Sequence, residues 1–163
     1  MHPLISEAMK KAAVVWLTVG DRRAHPVWCL WQDDALYVVS GPGEQAAPGL
    51  AEATEVTVTS RGDTGGRIVS WPARVVRLTP EDERWDQVVP TLASKRLNLP
   101  ADEDTAARWA ADCVVTRLEP VSDPVEAGDT LPDASLAAPP PETPAARRTT
   151  KPFRLHRVRG ARR

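Results

Sequence analysis

The residue types that could do chemistry are few and scattered in this chain. It contains no Gly-x-Ser-x-Gly elbow, no His-Glu-x-x-His pair, no paired-cysteine box and no Walker loop, so the common hydrolase, zinc and nucleotide-phosphate motifs are absent. His2 and His156 fall in the two termini. His25 stands before Pro26 at the start of a β-like segment, where a hydrogen-bonded structural histidine is the commoner reading and an acid–base role the rarer one. Cys29 and Cys113 are far apart, lie in apolar surroundings and lack metal-ligand spacing. They read as small buried thiols suited to a reducing compartment, and no metal site is expected.

Two features remain. Gly41-Pro42-Gly43 follows a strand-like segment and can either make a tight turn or turn backbone N–H groups toward an anion, with one donor removed by the proline. Six Trp stand against one Phe and one Tyr. They serve either as core packing or as the walls of an aromatic cleft for a flat heterocycle.

The elements that must position these residues are short. Residues 3–12 carry Leu4, Ile5, Ala8 and Met9 on one side of a helix. Segments 14–19, 24–31 and 36–40, separated by polar turns, read as an antiparallel meander whose apolar residues point both ways. Both faces of that meander therefore need cover, by a barrel interior on one side and by helices or a second subunit on the other. Val56–Ser60 alternates cleanly, Gly62–Gly66 is a hairpin turn, and Arg67–Leu78 is a long strand whose Pro72 implies an edge or a bulge. Thr79-Pro80-Glu81-Asp82 predicts a helix start, and Pro90 predicts a kink or an early end. A short helix over 102–110 and a closing strand over 112–119 complete a mainly β fold with peripheral helices, a six-stranded antiparallel barrel.

Composition divides the 163 residues into a domain over 1–120 and a tail over 121–163. The tail is rich in Pro and Ala, has no periodic apolar face, and is expected to be disordered. It ends in Arg147, Arg148, Lys151, Arg154, Arg157, Arg159, Arg162 and Arg163 with no carboxylate among them. Removing those eight from the 21 basic residues leaves 13 against all 22 acidic ones, a balance of −9 in residues 1–144. The basic peptide can fold back on the acidic domain, touch an anionic partner such as nucleic acid, or dock through Phe153, Leu155 and Val158. The apolar run over 12–19 is too short for a membrane span and lacks a cleavage pattern, so a cytoplasmic protein is expected.

Residues 11–119 resemble the pyridoxamine-5'-phosphate oxidase-like split β-barrel family, which includes flavin- and deazaflavin-dependent oxidoreductases. The resemblance rests on the order and spacing of VVWLTVGD, AHPVWCLWQDD, LYVVSG, VTVTS, RIVSWPARVVRL and TRLEP. It implies a homodimer with FMN or a deazaflavin coenzyme in a groove between subunits. Trp28 would flank the ring, while Ser40 and Gly41 would meet the phosphoribityl chain. The family's Ser-Arg-Lys phosphate triplet falls on Glu44, Gln45 and Ala46. Gln45 thus takes a place in the cofactor site without the charge, and Arg61, or else Arg74, would supply the missing cation. The resemblance also admits a non-catalytic relative that keeps the dimer, has lost the phosphate site and acts through its basic tail.

Overall fold

The structure, a computed structural model, describes residues 2–97, 99 and 104–132. Helix α1 (Pro3–Lys11) opens the chain. His2 Nδ1 accepts from the Leu4 N–H, Pro3 takes an early helical position where no donor is needed, and Ile5 and Met9 on one face are buried. The strands are β1 (Val14–Thr18), β2 (His25–Trp28), β3 (Leu30–Gln32), β4 (Ala35–Ser40), β5 (Glu55–Arg61), β6 (Arg67–Leu78), β7 (Val114–Pro120) and the two-residue β8 (Glu126–Ala127). Helices α2 (Trp85–Lys95) and α3 (Thr105–Asp112) lie between β6 and β7 in the chain.

All strand pairs are antiparallel, in the order β2-β1-β5-β6-β7-β4-β3, with β8 added on β6. Seven strands lie on this path where six were expected, because the segment over 24–31 divides at Cys29. Its first half pairs with β1 (Trp28 opposite Val14) and its second with β4 (Leu30 opposite Tyr37). The two ends of the path are therefore neighbours in sequence, and the sheet curls back on itself. A two-residue turn at Asp33 and Asp34, both at positive φ, joins β3 to β4; aspartate tolerates that region and the turn's twist matches the strands.

The core is double. Val15, Leu17, Val27, Leu36, Val38, Val56, Val58, Val69, Trp71 and Leu118 fill the barrel, capped by Ile5 and Met9 of α1. On the other face of β4, Ala35, Tyr37 and Val39 join Val115, Trp85, Val88, Val89, Leu92 and Trp109. Every residue of β4 is buried, so helices of the same chain cover its second face.

Three local expectations need correction. Pro72 is in neither an edge strand nor a bulge; the irregularity lies at Ser60/Arg61. The Pro72 carbonyl accepts from the Val121 N–H, so its missing donor faces the gap where the neighbour of β6 changes from β7 to β8. Residues 79–84 form turns, and α2 begins only at Trp85, where its apolar stripe meets β4. Pro90, exposed, lies inside α2, so of the expected kink or early end the early end does not occur.

The domain also runs past Pro120. The compact unit ends at Pro132, and residues 121–132 are strapped along β6. Val125 N–H bonds to Ser70 O, and the Glu126 carboxylate takes Arg67 at 3.1 Å and the Ser70 hydroxyl at 2.8 Å. The basic peptide and the rest of the expected tail lie outside the described residues.

Candidate functional site

The bend at Cys29 builds a cleft. β2 leaves β1 there and β3 turns to β4, so the side chains of Trp28 and Trp31 rest on different cores: Trp28 on the helix side, Trp31 on the barrel side. Trp31 meets the buried Trp71 edge-on, centroids 6.3 Å apart and planes at 79°. The cleft, lined by both tryptophans, has a volume of about 520 Å³, within the range of small-molecule sites. Met9, Val14, Cys29 and Leu30 add apolar walls, and Lys10, Lys11, Lys95 and Arg96 form a rim with no carboxylate among the lining residues. The lysines come from the last turns of α1 and α2, where the helix dipole favours cations. Burial pushes the Cys29 thiol up to about 12, so a neutral thiol faces this space.

The loop after β4 lies behind Trp28. Gln45 spends both ends of its amide on main chain: Oε1 accepts from the Trp28 N–H at 2.7 Å, and Nε2 donates to the carbonyls of Trp28 at 2.9 Å and Val39 at 3.0 Å. Gly41 has φ +141°, and a Cβ there would stand 3.0 Å from Cys113 Cα and 3.1 Å from the Asp112 carbonyl, so only glycine fits. Ser40 is buried at the end of β4, opposite Val114.

Glu44 points inward. Its side chain has no exposed surface, and its carboxylate accepts from Arg96 Nε at 2.6 Å, an Arg108 terminal nitrogen at 2.7 Å and Trp109 Nε1 at 3.0 Å. Burial pushes its carboxyl upward, but the bonds from Arg108, Arg96 and Trp109 outweigh this and hold it below the usual range. Arg96 and Arg108 also donate to the carbonyls of Gly43 and Pro42. The loop thus supplies its own anion to two arginines.

Trp28, Ser40, Gly41 and Gln45 are brought together, but of these only Trp28 lines the cleft. Arg61 is elsewhere. It pairs with Arg67 at the start of β6, whereas Ser40 is level with the far end of that strand through β7. Its guanidinium lies 4.9 Å above the Trp16 ring and donates to Gly65 O. Within one chain it cannot replace a cation at the β4 loop. Arg74, the other possible replacement, pairs with Glu119. Sequence reasoning missed the cationic rim; basic residues in the last turns of two helices were its only local signal.

A phosphate-bearing cofactor meets two different surroundings here. The β4 loop does not fit one, because its acid and amide are committed internally and its carboxylate would repel it. The cleft fits a flat ring, with two tryptophans and an acid-free cationic rim. Among the described residues, no three His, Cys, Asp or Glu gather into a metal-binding group.

No family profile matches the sequence, and no curated protein matches it. Solved structures do resemble the fold. HutZ, the heme storage protein from Vibrio cholerae, superposes with TM-score 0.53 at 16% identity, covering 75% of this chain and 91% of that one. A protein of Listeria innocua assigned as a pyridoxamine 5'-phosphate oxidase gives 0.51 at 16% identity, with 74% and 94% covered. An FAD-binding protein from Mesorhizobium loti gives 0.50 at 20% identity, with 72% and 86% covered. At these identities the likeness concerns the fold. With its curled antiparallel sheet, its seam at Cys29 and its helices packed on β4, the chain has the split β-barrel fold of the pyridoxamine-5'-phosphate oxidase-like proteins.

Proposed function

We propose that this protein binds a flavin-type cofactor, FMN or a deazaflavin coenzyme, and works as a cytoplasmic oxidoreductase on a small molecule. The observation that carries the reading is the cleft at the barrel seam, with Trp28 and Trp31 on its walls and four basic residues around it. Bound there, the cofactor would supply hydride transfer. The chain's own part is to seat the ring between aromatic and apolar walls, to shield it from water, and to hold Trp28 in place through Gln45. No general acid or base is assigned, and hydride chemistry does not demand one. The active unit is proposed as a homodimer. Val14 on β1 and Ile68 on β6, 42% and 37% exposed, leave apolar side chains outside the barrel for a second copy to cover.

A second reading is a non-catalytic binding protein on the same scaffold. The committed Glu44 and Gln45 favour it, since they withdraw the β4 loop from ligand binding. The visible spectrum of the purified protein, followed by titration with riboflavin, FMN and a deazaflavin while tryptophan fluorescence is monitored, separates the two. Saturable quenching supports the cofactor reading. A colourless protein whose fluorescence ignores all three supports the scaffold.

A further inference from the structure

Four basic residues ring the cleft, but they are not equivalent. Lys10 is paired with Glu7 at 2.9 Å, and Arg96 is held by Glu44 at 2.6 Å. Lys11 and Lys95 line the same cleft from two different helices, and neither has an ion-pair partner among the described residues. Each sits in the last turn of its helix, beside the carbonyl end of the helix dipole. The cleft therefore presents two ammonium groups outside any ion pair beside an aromatic wall; Lys11 also feels the Glu7 charge, but no acid is among the lining residues.

We infer that the cleft takes a flat heterocycle carrying an anionic arm, phosphate or carboxylate, and that Lys11 and Lys95 hold that arm in place of the loop after β4. The inference rests on the reading of the cleft as the ring's site and adds which end of the ligand meets which residues. The physical argument is one of competition. An anion at the β4 loop would have to displace a Glu44 carboxylate already bound by two guanidinium groups and an indole N–H inside a covered pocket. An anion at Lys11 and Lys95 breaks no ion pair of the described residues. Lysine suits the task because its ammonium is a point charge on a flexible stem, able to follow an arm of variable length.

Riboflavin and FMN share a ring and differ by the phosphate, so their affinities for the full-length protein separate ring from arm. The natural protein should prefer FMN. Lys11→Gln and Lys95→Gln, both at exposed positions that the fold does not depend on, should each weaken FMN roughly tenfold, the worth of one charge-assisted hydrogen bond. Both variants should leave riboflavin unchanged, and rising salt should erode the preference for FMN. Equal affinity for the two flavins in the natural protein would overturn the inference while leaving the ring site standing. So would an FMN preference that both variants retain, since the arm would then be held elsewhere. Failure of both flavins to bind would remove the ring site and this inference with it.

Discussion

Glu44 carries its charge on a side chain with no exposed surface, and the partners that permit it come from far along the chain: Arg96 is 52 residues away and Arg108 is 64. That separation is why sequence reasoning could count the acid but could not see what neutralises it. Glu44→Gln keeps the shape and removes the charge, leaving two arginines partly covered and without their counter-ion. A loss of about 2–4 kcal/mol at neutral pH is expected, read from denaturant melts. The carboxyl is held below its usual 4.5, so its contribution is complete above that pH and is lost as pH falls through the lowered value. Melts of the two proteins should therefore converge in acid. A gap that persists at low pH would mean that shape, not charge, is what Glu44 provides.

At the scale of elements, most of the sheet was legible because burial follows period two; β5 alternates between buried and half-buried residues over 56–61, as VTVTS predicts. The division at Cys29 was not legible. Nothing local tells residues 25–28 to pair with β1 and residues 30–32 with β4, since those partners are set by the whole sheet. The Thr79 start signal was misread for a similar reason: the turns over 79–84 bring Trp85 to the second core, and the helix begins where that contact does. Gln45 shows what the seam requires. Its amide pairs with both the N–H and the C=O of Trp28, as a neighbouring strand would. Gln45→Ala leaves those groups and the Val39 carbonyl without this partner and should cost about 1–3 kcal/mol. Amide hydrogen exchange provides the local check: protection at Trp28 should fall well before that of β5 and β6. Unchanged protection there would mean that water replaces the side chain.

For the molecule as a whole, the sequence boundary at Pro120 came from composition, which recognises the Pro/Ala-rich stretch but not the ion pair that holds its first residues. Arg67 and Glu126 are 59 residues apart, and Arg67 also donates to the Pro132 carbonyl at 2.7 Å. Ending the chain after Pro132 keeps every contact described for β6 and should shift stability by no more than about 0.5 kcal/mol. Ending it after Pro120 strips the strap from β6, exposes the buried Ser70 and removes the acid opposite Arg67. That cut should cost about 2–4 kcal/mol in the same denaturant assay. Equal stability of the two truncated proteins would show that the strap merely lies on the barrel.

The position of β7 has a temporal consequence. It lies between β6 and β4, yet it is made after both, once α2 and α3 have been synthesised. A nascent chain that has released residues 1–112 has all the residues of the β1–β2, β3–β4 and β5–β6 pairs but none of β7. Both β4 and β6 then face outward with unpaired backbone groups along the edges that β7 will fill. Those edges are open invitations to another chain. The sheet between β6 and β4 cannot be completed until β7 arrives, and completing it joins segments distant in sequence, which favours slow folding. The interval between emergence of β6 and arrival of β7 is therefore when this protein is most exposed to misassembly.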